Sequence, residues 1–156
     1  MESIAKQIGE KLARKSWFLT TAESCTGGMI SMLITDIAGS SKWFDRGFIT
    51  YSNQAKQQML GVSEQTILNF GAVSHETVRE MANGAIENSN AQVSIAISGV
   101  AGPDGGSEEK PVGTVLIAWK VPERDVLTER FQFQGNRQEI RQQAAQLSLE
   151  KLFELI

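Results

Sequence analysis

A lysine and several serines are the residues of this chain best suited to break a covalent bond. The sequence contains one histidine and one cysteine, so a Ser-His-Asp triad could use only His75. His75 falls in the first turn of a predicted helix, where we expect an exposed side chain. Lysine is therefore the available general base, because a lysine buried among apolar groups can lose its proton near neutral pH and accept one from serine.

Lys56 is the best placed of the lysines, since it follows the end of a predicted strand and lies five residues after Tyr51. That spacing differs from the four-residue spacing of the Tyr/Lys pair in short-chain dehydrogenases. The candidate nucleophiles are Ser24, Ser40, Ser41 and Ser52. Serines also form helix caps and turns, so the residue types alone leave the choice of nucleophile open.

Two glycine-rich segments follow predicted strands and could bind a phosphate group. Thr26–Gly28 opens a predicted helix, where free N–H groups and the helix dipole favour an anion. SGVAGPDGG, residues 98–106, is the second segment. Neither matches a Walker or GxGxxG pattern, so neither identifies a nucleotide site by itself. Cys25 has no base beside it, and we expect a buried, unreactive thiol.

Alternating helices and strands must position these segments. Strands are predicted at 18–22, 47–52, 93–97, 112–119 and 126–133, with helices before, between and after them. This order predicts a single three-layer α/β/α domain over residues 1–156, with a largely parallel sheet plus an antiparallel strand near the C-terminal end. Ligands of such sheets bind beyond the carboxyl ends of the strands, so we expect turns 23–28, 51–56 and 98–106 to share one crevice.

Composition narrows the class of protein further. The 156 residues are 41% hydrophobic and 21% charged, with a net charge of −3. This balance is typical of a globular domain and disfavours nonspecific nucleic-acid binding. No apolar run is long enough to cross a membrane, and the single cysteine excludes an internal disulfide. With no signal peptide in view, we expect a cytoplasmic protein, and with no paired acidic motif we expect no metal site.

Five motifs taken together resemble the C-terminal domain family of CinA, the competence/damage-inducible protein. They are TAESCTGG (21–28), GSSKWFDRGFITYSNQAK (39–56), LGV (60–62), GAVSHET (71–77) and SGVAGPDGGSEEKPVGTV (98–115). The resemblance runs from about residue 3 to the final helix, in order and with matching spacing.

Stand-alone members of this family are nicotinamide-nucleotide amidases. The resemblance therefore implies one amidase domain that hydrolyses the carboxamide of nicotinamide mononucleotide to nicotinate mononucleotide and ammonia. It implies no metal or organic cofactor, a small-molecule substrate and a homodimer. The alternative is a catalytically silent module that binds nucleotides or proteins in competence or DNA damage.

The resemblance also implies which residues form the site. The catalytic set is Ser41, Lys56, Ser24 and Tyr51. In this hypothesis Lys56 takes the proton of Ser41, while Ser24 and Tyr51 hold the amide or the oxyanion. The expected substrate-binding residues are Thr26, Gly27, Gly28, Ser98, Gly99, Ala101, Gly102 and Arg137. Ser98 stands where many members have threonine, which keeps the hydroxyl. Ser24 remains the alternative nucleophile, and either glycine-rich segment could take the phosphate.

Overall fold

The computed structural model describes residues 3–156 and contains a mixed sheet of five strands. The strands are β1 (Leu19–Glu23), β2 (Phe44–Ile49), β3 (Val93–Gly99), β4 (Thr114–Lys120) and β5 (Leu127–Gln132). Their spatial order is β2-β1-β3-β4-β5. β1 lies parallel to β2 and β3, whereas β4 is antiparallel to both of its neighbours. The predicted parallel sheet with an antiparallel strand near its C-terminal end is confirmed.

Helices cover both faces of the sheet, which confirms the predicted three layers. The helices are α1 (Ile4–Lys15), α2 (Met29–Thr35), α3 (Asn53–Leu60), α4 (Glu64–Phe70), α5 (His75–Glu87) and α6 (Arg137–Leu155). Buried side chains of α1, α2 and α6 pack on one face of the sheet, and those of α3 and α5 pack on the other. α4 adds only the partly buried Ile67 to the second face.

The central strand β3 is buried on both faces because its side chains alternate between two cores. Ile95 and Ile97 face the core beneath α1, α2 and α6. Ala96 faces the core beneath α5. Small residues on this second face allow α5 to lie close to the sheet, and α5 itself also carries small residues. A Cβ on Gly84 would lie 2.0 Å from the carbonyl oxygen of Leu60, so α3 and α5 are in direct backbone contact.

β2 lies nearer the N-terminus than predicted. The sequence favours a strand over 47–52, but the strand is Phe44–Ile49 and the chain then turns toward α3. Ser52 caps that helix, with its Oγ accepting a hydrogen bond of 2.9 Å from Ala55 N. The polar residues Asp45 and Arg46 lie on this edge strand. Because they interrupt the hydrophobic pattern, the start of the strand is not predicted from the sequence.

The helices were also compared with the length and hydropathy of a membrane-spanning segment. Within residues 3–156, none combines the length and the apolar character that crossing a bilayer requires.

Candidate active site

A cleft of about 360 Å³ lies at the edge of the sheet where β1, β2 and β3 end. Because these strands are parallel, the turns that follow them meet at this edge. The structure thus brings residues of all three predicted turns together. The lining residues are Ser24, Cys25, Tyr51, Asn53, Lys56, Ala72, Val73, Ser98, Gly99, Val100, Ala101, Gly102, Asp104, Gly105 and Arg137.

The side chains of Lys56 and Ser24 meet at the buried end of this cleft. Lys56 Nζ donates a hydrogen bond of 3.1 Å to Ser24 Oγ. Its second partner is the carbonyl oxygen of Tyr51, at 3.4 Å. Ser24 directly follows β1, and Lys56 lies in the first half of α3, so the crossover from β1 through β2 to α3 assembles the pair.

The environment of Lys56 favours the neutral amine. Only 1% of its surface is exposed, although it carries an ionisable group. Burial is the main cause that lowers the pKa of Lys56 from its usual range, and only the charge of a Cys25 thiolate would act in the opposite direction. No acidic side chain pairs with it among residues 3–156. A neutral amine within hydrogen-bonding distance of a hydroxyl is the arrangement that general-base activation of serine requires.

Glu23 fixes the turn that carries Ser24. Its carboxylate is fully buried and accepts hydrogen bonds at Oε1 from Thr26 Oγ1, Gly28 N and Ile30 N, at 2.7, 3.2 and 2.9 Å. Oε2 accepts from both the backbone N and the Oγ of Ser31, at 2.9 and 2.7 Å. A negative charge at this helix N-terminus is stabilised by the helix dipole.

The Glu23 carboxylate occupies the anion position that the sequence had suggested for a phosphate. Thr26 is fully buried, and the N–H group of Gly28 is directed at Glu23. Thr26, Gly27 and Gly28 do not line the cleft in the described part of the chain. Both glycines have positive φ, at 58° and 107°, so they serve the tight turn into α2.

Tyr51 and Arg137 form the exposed rim of the cleft. Tyr51 is 63% exposed, and its hydroxyl accepts a hydrogen bond of 3.2 Å from Arg137 Nη2. Arg137 Nη1 donates to the carbonyl oxygen of Gly102 at 2.7 Å. The remaining N–H groups of this guanidinium are available to a ligand anion.

The last two residues of β3 and the segment that follows it form another wall of the cleft. Ser98, Gly99, Ala101 and Gly102, all predicted as substrate-binding residues, line it. Ser98 is 2% exposed and has no side-chain hydrogen bond among the described residues, so its hydroxyl is free to meet a ligand. Gly102 has a φ of 80°, which favours glycine at this position.

Ser41 is not brought to Lys56 within one chain. It lies exposed in a short 3-10 turn, Ser40–Lys42, just before the amino end of β2. Lys56 follows the carboxyl end of the same strand. Six strand residues separate the two ends by about 20 Å. Within one chain, Lys56 is therefore paired with Ser24 and not with Ser41.

Cys25 is buried in the wall of the cleft. Burial, the largest cause, raises the pKa of its thiol to about 12. Its own backbone hydrogen bond lowers the pKa but does not offset the burial. The thiol is therefore protonated at neutral pH, as expected for an unreactive cysteine.

Several lining residues were missed by sequence reasoning. Asn53 and Asp104 lie inside two of the turns that were expected to form the crevice, so their positions were a usable signal. Val73 lies before α5 in the motif GAVSHET (71–77), but its apolar side chain has no chemistry that would have marked it as a site residue. No group of three or more His, Cys, Asp or Glu side chains that could hold a metal occurs within residues 3–156.

A buried lysine against a serine at the edge of an α/β sheet is typical of hydrolases that act through an activated serine. The chain belongs to the CinA C-terminal domain family, whose model matches residues 1–156.

Its similarity to known members extends over nearly the whole chain. The nicotinamide-nucleotide amidohydrolase PncC of Enterobacter agglomerans is 53% identical over 150 residues, which cover 96% of this chain and 92% of that protein. The protein of the same name from Escherichia coli K12 is 51% identical over 151 residues, covering 97% and 92%. The crystal structure of the competence/damage inducible protein CihA from Agrobacterium tumefaciens superposes with a TM-score of 0.94 at 45% identity, covering 97% of this chain and 93% of that one.

Proposed function

We propose that this chain hydrolyses the carboxamide of nicotinamide mononucleotide, giving nicotinate mononucleotide and ammonia. One observation carries the proposal: a lysine with a pKa lowered by burial lies 3.1 Å from a serine hydroxyl at the end of a ligand-sized cleft. The relatives named nicotinamide-nucleotide amidohydrolase support the choice of substrate.

In this proposal Ser24 is the nucleophile and Lys56 is the general base. Neutral Lys56 takes the proton of Ser24 Oγ as that oxygen attacks the carboxamide carbon. The resulting ammonium of Lys56 then protonates the leaving nitrogen, the C–N bond breaks and ammonia departs. Water attacks the Ser24 ester with Lys56 again as base, which releases the carboxylate product and restores the serine.

Two hydroxyl groups are suited to hold the substrate amide. Ser98 is buried in the cleft wall and has a hydroxyl free to donate to the oxyanion. The Tyr51 hydroxyl accepts from Arg137, so its own proton is available to the substrate. One lost oxyanion donor typically costs about 10²–10³-fold in rate.

Arg137 is suited to bind the phosphate. It is the cation at the exposed rim of the cleft, whereas Lys56 is a buried amine at the other end. The Glu23 carboxylate already takes the N–H groups at the start of α2, so the phosphate is assigned to Arg137 and the segment after β3.

The experiment measures ammonia release from nicotinamide mononucleotide in the presence of EDTA. We expect Ser24→Ala and Lys56→Met to lose at least about 10²-fold in kcat, because each removes one half of the nucleophile–base pair. Lys42→Met is the matched control, since Lys42 is an exposed lysine outside the cleft. Circular dichroism checks that each variant is folded.

Ser41→Ala separates the two candidate nucleophiles. We expect this variant to keep its activity, because Ser41 lies at the other end of β2 from Lys56. If Ser41→Ala is inactive while Ser24→Ala hydrolyses the substrate, the assignment of Ser24 is wrong. If the folded wild-type protein releases no ammonia, the proposed activity itself is wrong and a binding module is favoured.

A further inference from the structure

The turn that carries Ser24 is held from a second side, by α6. On the inner side the Glu23 carboxylate binds the N–H groups that follow the turn. On the outer side Arg141 reaches across from α6. Its Nε donates to the carbonyl oxygen of Cys25 at 2.9 Å, and its Nη2 donates to the carbonyl oxygen of Thr26 at 3.0 Å.

These two bonds fix the peptide groups between Cys25 and Gly27, just after Ser24. The backbone of Ser24 itself is tied to β3, since its N–H donates to Ile97 O at 3.0 Å. Its carbonyl oxygen accepts from Gly27 N at 3.1 Å, which closes the turn. Arg141 binds the next two carbonyl oxygens. The backbone is therefore held on both sides of Ser24, which directs the Ser24 side chain toward Lys56.

Arg141 belongs to the same helical face as Arg137, because the two residues are four apart on α6. Arg137 lines the cleft, but Arg141 is not among the described side chains that do so. A role for Arg141 in binding substrate is therefore not required. One helix, α6, would thus carry both Arg137 at the rim of the cleft and Arg141, which holds the turn that carries the nucleophile.

We propose that Arg141 is a positioning residue for catalysis, which aligns Ser24 with Lys56 by clamping the carbonyl groups of Cys25 and Thr26. This inference rests on the proposed function, in which Ser24 is the nucleophile. A planar guanidinium can reach two carbonyls in fixed directions, whereas the ammonium of a lysine acts as a point charge. Arg141→Lys is consequently a poor replacement even though it keeps the charge.

The kinetic test compares Arg141→Ala and Arg141→Lys with the wild type on nicotinamide mononucleotide. We expect kcat to fall between about tenfold and a hundredfold, because small misplacements of a reacting group carry costs of that order. KM changes little, since Arg141 does not touch the substrate. Guanidinium ion at millimolar concentration partly restores kcat in Arg141→Ala. Gln142→Ala is the matched control, because Gln142 is the exposed next residue of the same helix.

Cys25 supplies a second readout that does not depend on activity. It is the only cysteine, is buried, and contributes one of the two carbonyls that Arg141 binds. We expect Arg141→Ala to speed the alkylation of Cys25 by iodoacetamide, and guanidinium to slow it again. Gln142→Ala should alkylate at the wild-type rate.

The two readouts keep the proposals separable. An inactive wild type overturns the proposed function, and the alkylation rates then still test the clamp. An active wild type with unchanged kcat and unchanged Cys25 alkylation in Arg141→Ala overturns the clamp alone. The clamp is also overturned if Arg141→Ala lowers kcat only as far as it lowers the melting temperature and guanidinium does not restore kcat. Arg141 would then serve stability and not alignment.

Discussion

Lys56 illustrates how a single side chain is prepared for chemistry by its surroundings. The amine is almost wholly buried and has only Ser24 Oγ and the Tyr51 carbonyl as hydrogen-bond partners among the described residues. Neither partner is an anion, so burial of the charged form is not compensated. The cost of desolvating the ammonium is what lowers the pKa of Lys56 and makes it able to accept a proton.

The pH dependence of activity follows from this shift. Because Lys56 must be neutral to act as a base, we predict that kcat/KM rises with pH and levels off above a pKa below the ordinary lysine value. A pH–rate profile measures this directly. Lys56→Arg should be inactive across the whole range, since a guanidinium stays protonated. A profile that falls as pH rises would contradict the role of Lys56.

The pH dependence of stability follows with the same sign. The pKa of Lys56 is lowered in the folded state, so the unfolded chain binds more protons between the folded and the ordinary lysine pKa. The contribution of Lys56 to the free energy of unfolding therefore increases as pH rises through that window. We predict that Lys56→Met shows a smaller rise than wild type over the same pH range, measured by urea unfolding, with Lys42→Met as control.

The site residues differ in how far the sequence alone could identify them. Lys56, Ser24 and Tyr51 lie in the quoted motifs, Arg137 is implied by the family resemblance alone, and all four line the cleft. The choice between two serines could not be made, because it depends on which end of β2 each one occupies. The sequence also does not reveal that Glu23, and not a ligand anion, occupies the start of α2. A carboxylate next to a glycine turn looks the same in a sequence whether it caps a helix or takes part in catalysis.

At the scale of elements, the contact between α3 and α5 holds Lys56 at its depth. Gly84 of α5 lies against the backbone of Leu60 at the end of α3, with no room for a Cβ. Lys56 lies one helical turn before Leu60 on the same side of α3, and both are buried. Close packing of these two helices thus helps to insert the lysine between the sheet and the cleft.

We predict that Gly84→Ala destabilises the fold by about 1–3 kcal/mol, because the added methyl group must push α3 away from α5. The same displacement should lower kcat, since α3 carries Lys56. Thermal unfolding and ammonia release measure the two effects. Asn83→Ala is the matched control on the exposed side of α5. A fully stable and active Gly84→Ala protein would show that the two helices separate without cost.

Element types were more predictable than element ends. Alternating apolar and polar segments predict the order of the helices and strands, which the structure has. Helix caps depend on local contacts, such as the hydrogen bond of 3.1 Å that Thr77 N donates to Ser74 Oγ at the start of α5. α2 begins at Met29, three residues later than predicted, because Thr26 and the two glycines form the turn around Glu23. That turn depends on a buried charge, which hydrophobic periodicity does not detect.

At the scale of the whole molecule, one chain supplies both members of the proposed nucleophile–base pair. We predict that mixing inactive Ser24→Ala and Lys56→Ala proteins restores no ammonia release, even if the homodimer implied by the family resemblance forms. Unfolding and refolding the mixture allows subunits to exchange, and analytical ultracentrifugation reports the oligomeric state. Recovered activity would mean that the site is shared between two chains, contrary to the proposed pair.

The cleft has a consequence for the time course of folding. Its walls come from segments as far apart in sequence as Ser24 and Arg137, and the parallel pairing of β1 with β3 brings Ser24 and Ser98 to the same edge of the sheet. Pairings between distant segments form slowly, whereas helices form early. During refolding from urea, the circular dichroism signal of the helices should therefore return before ammonia release does. The return of enzymatic activity would then report the last step of folding.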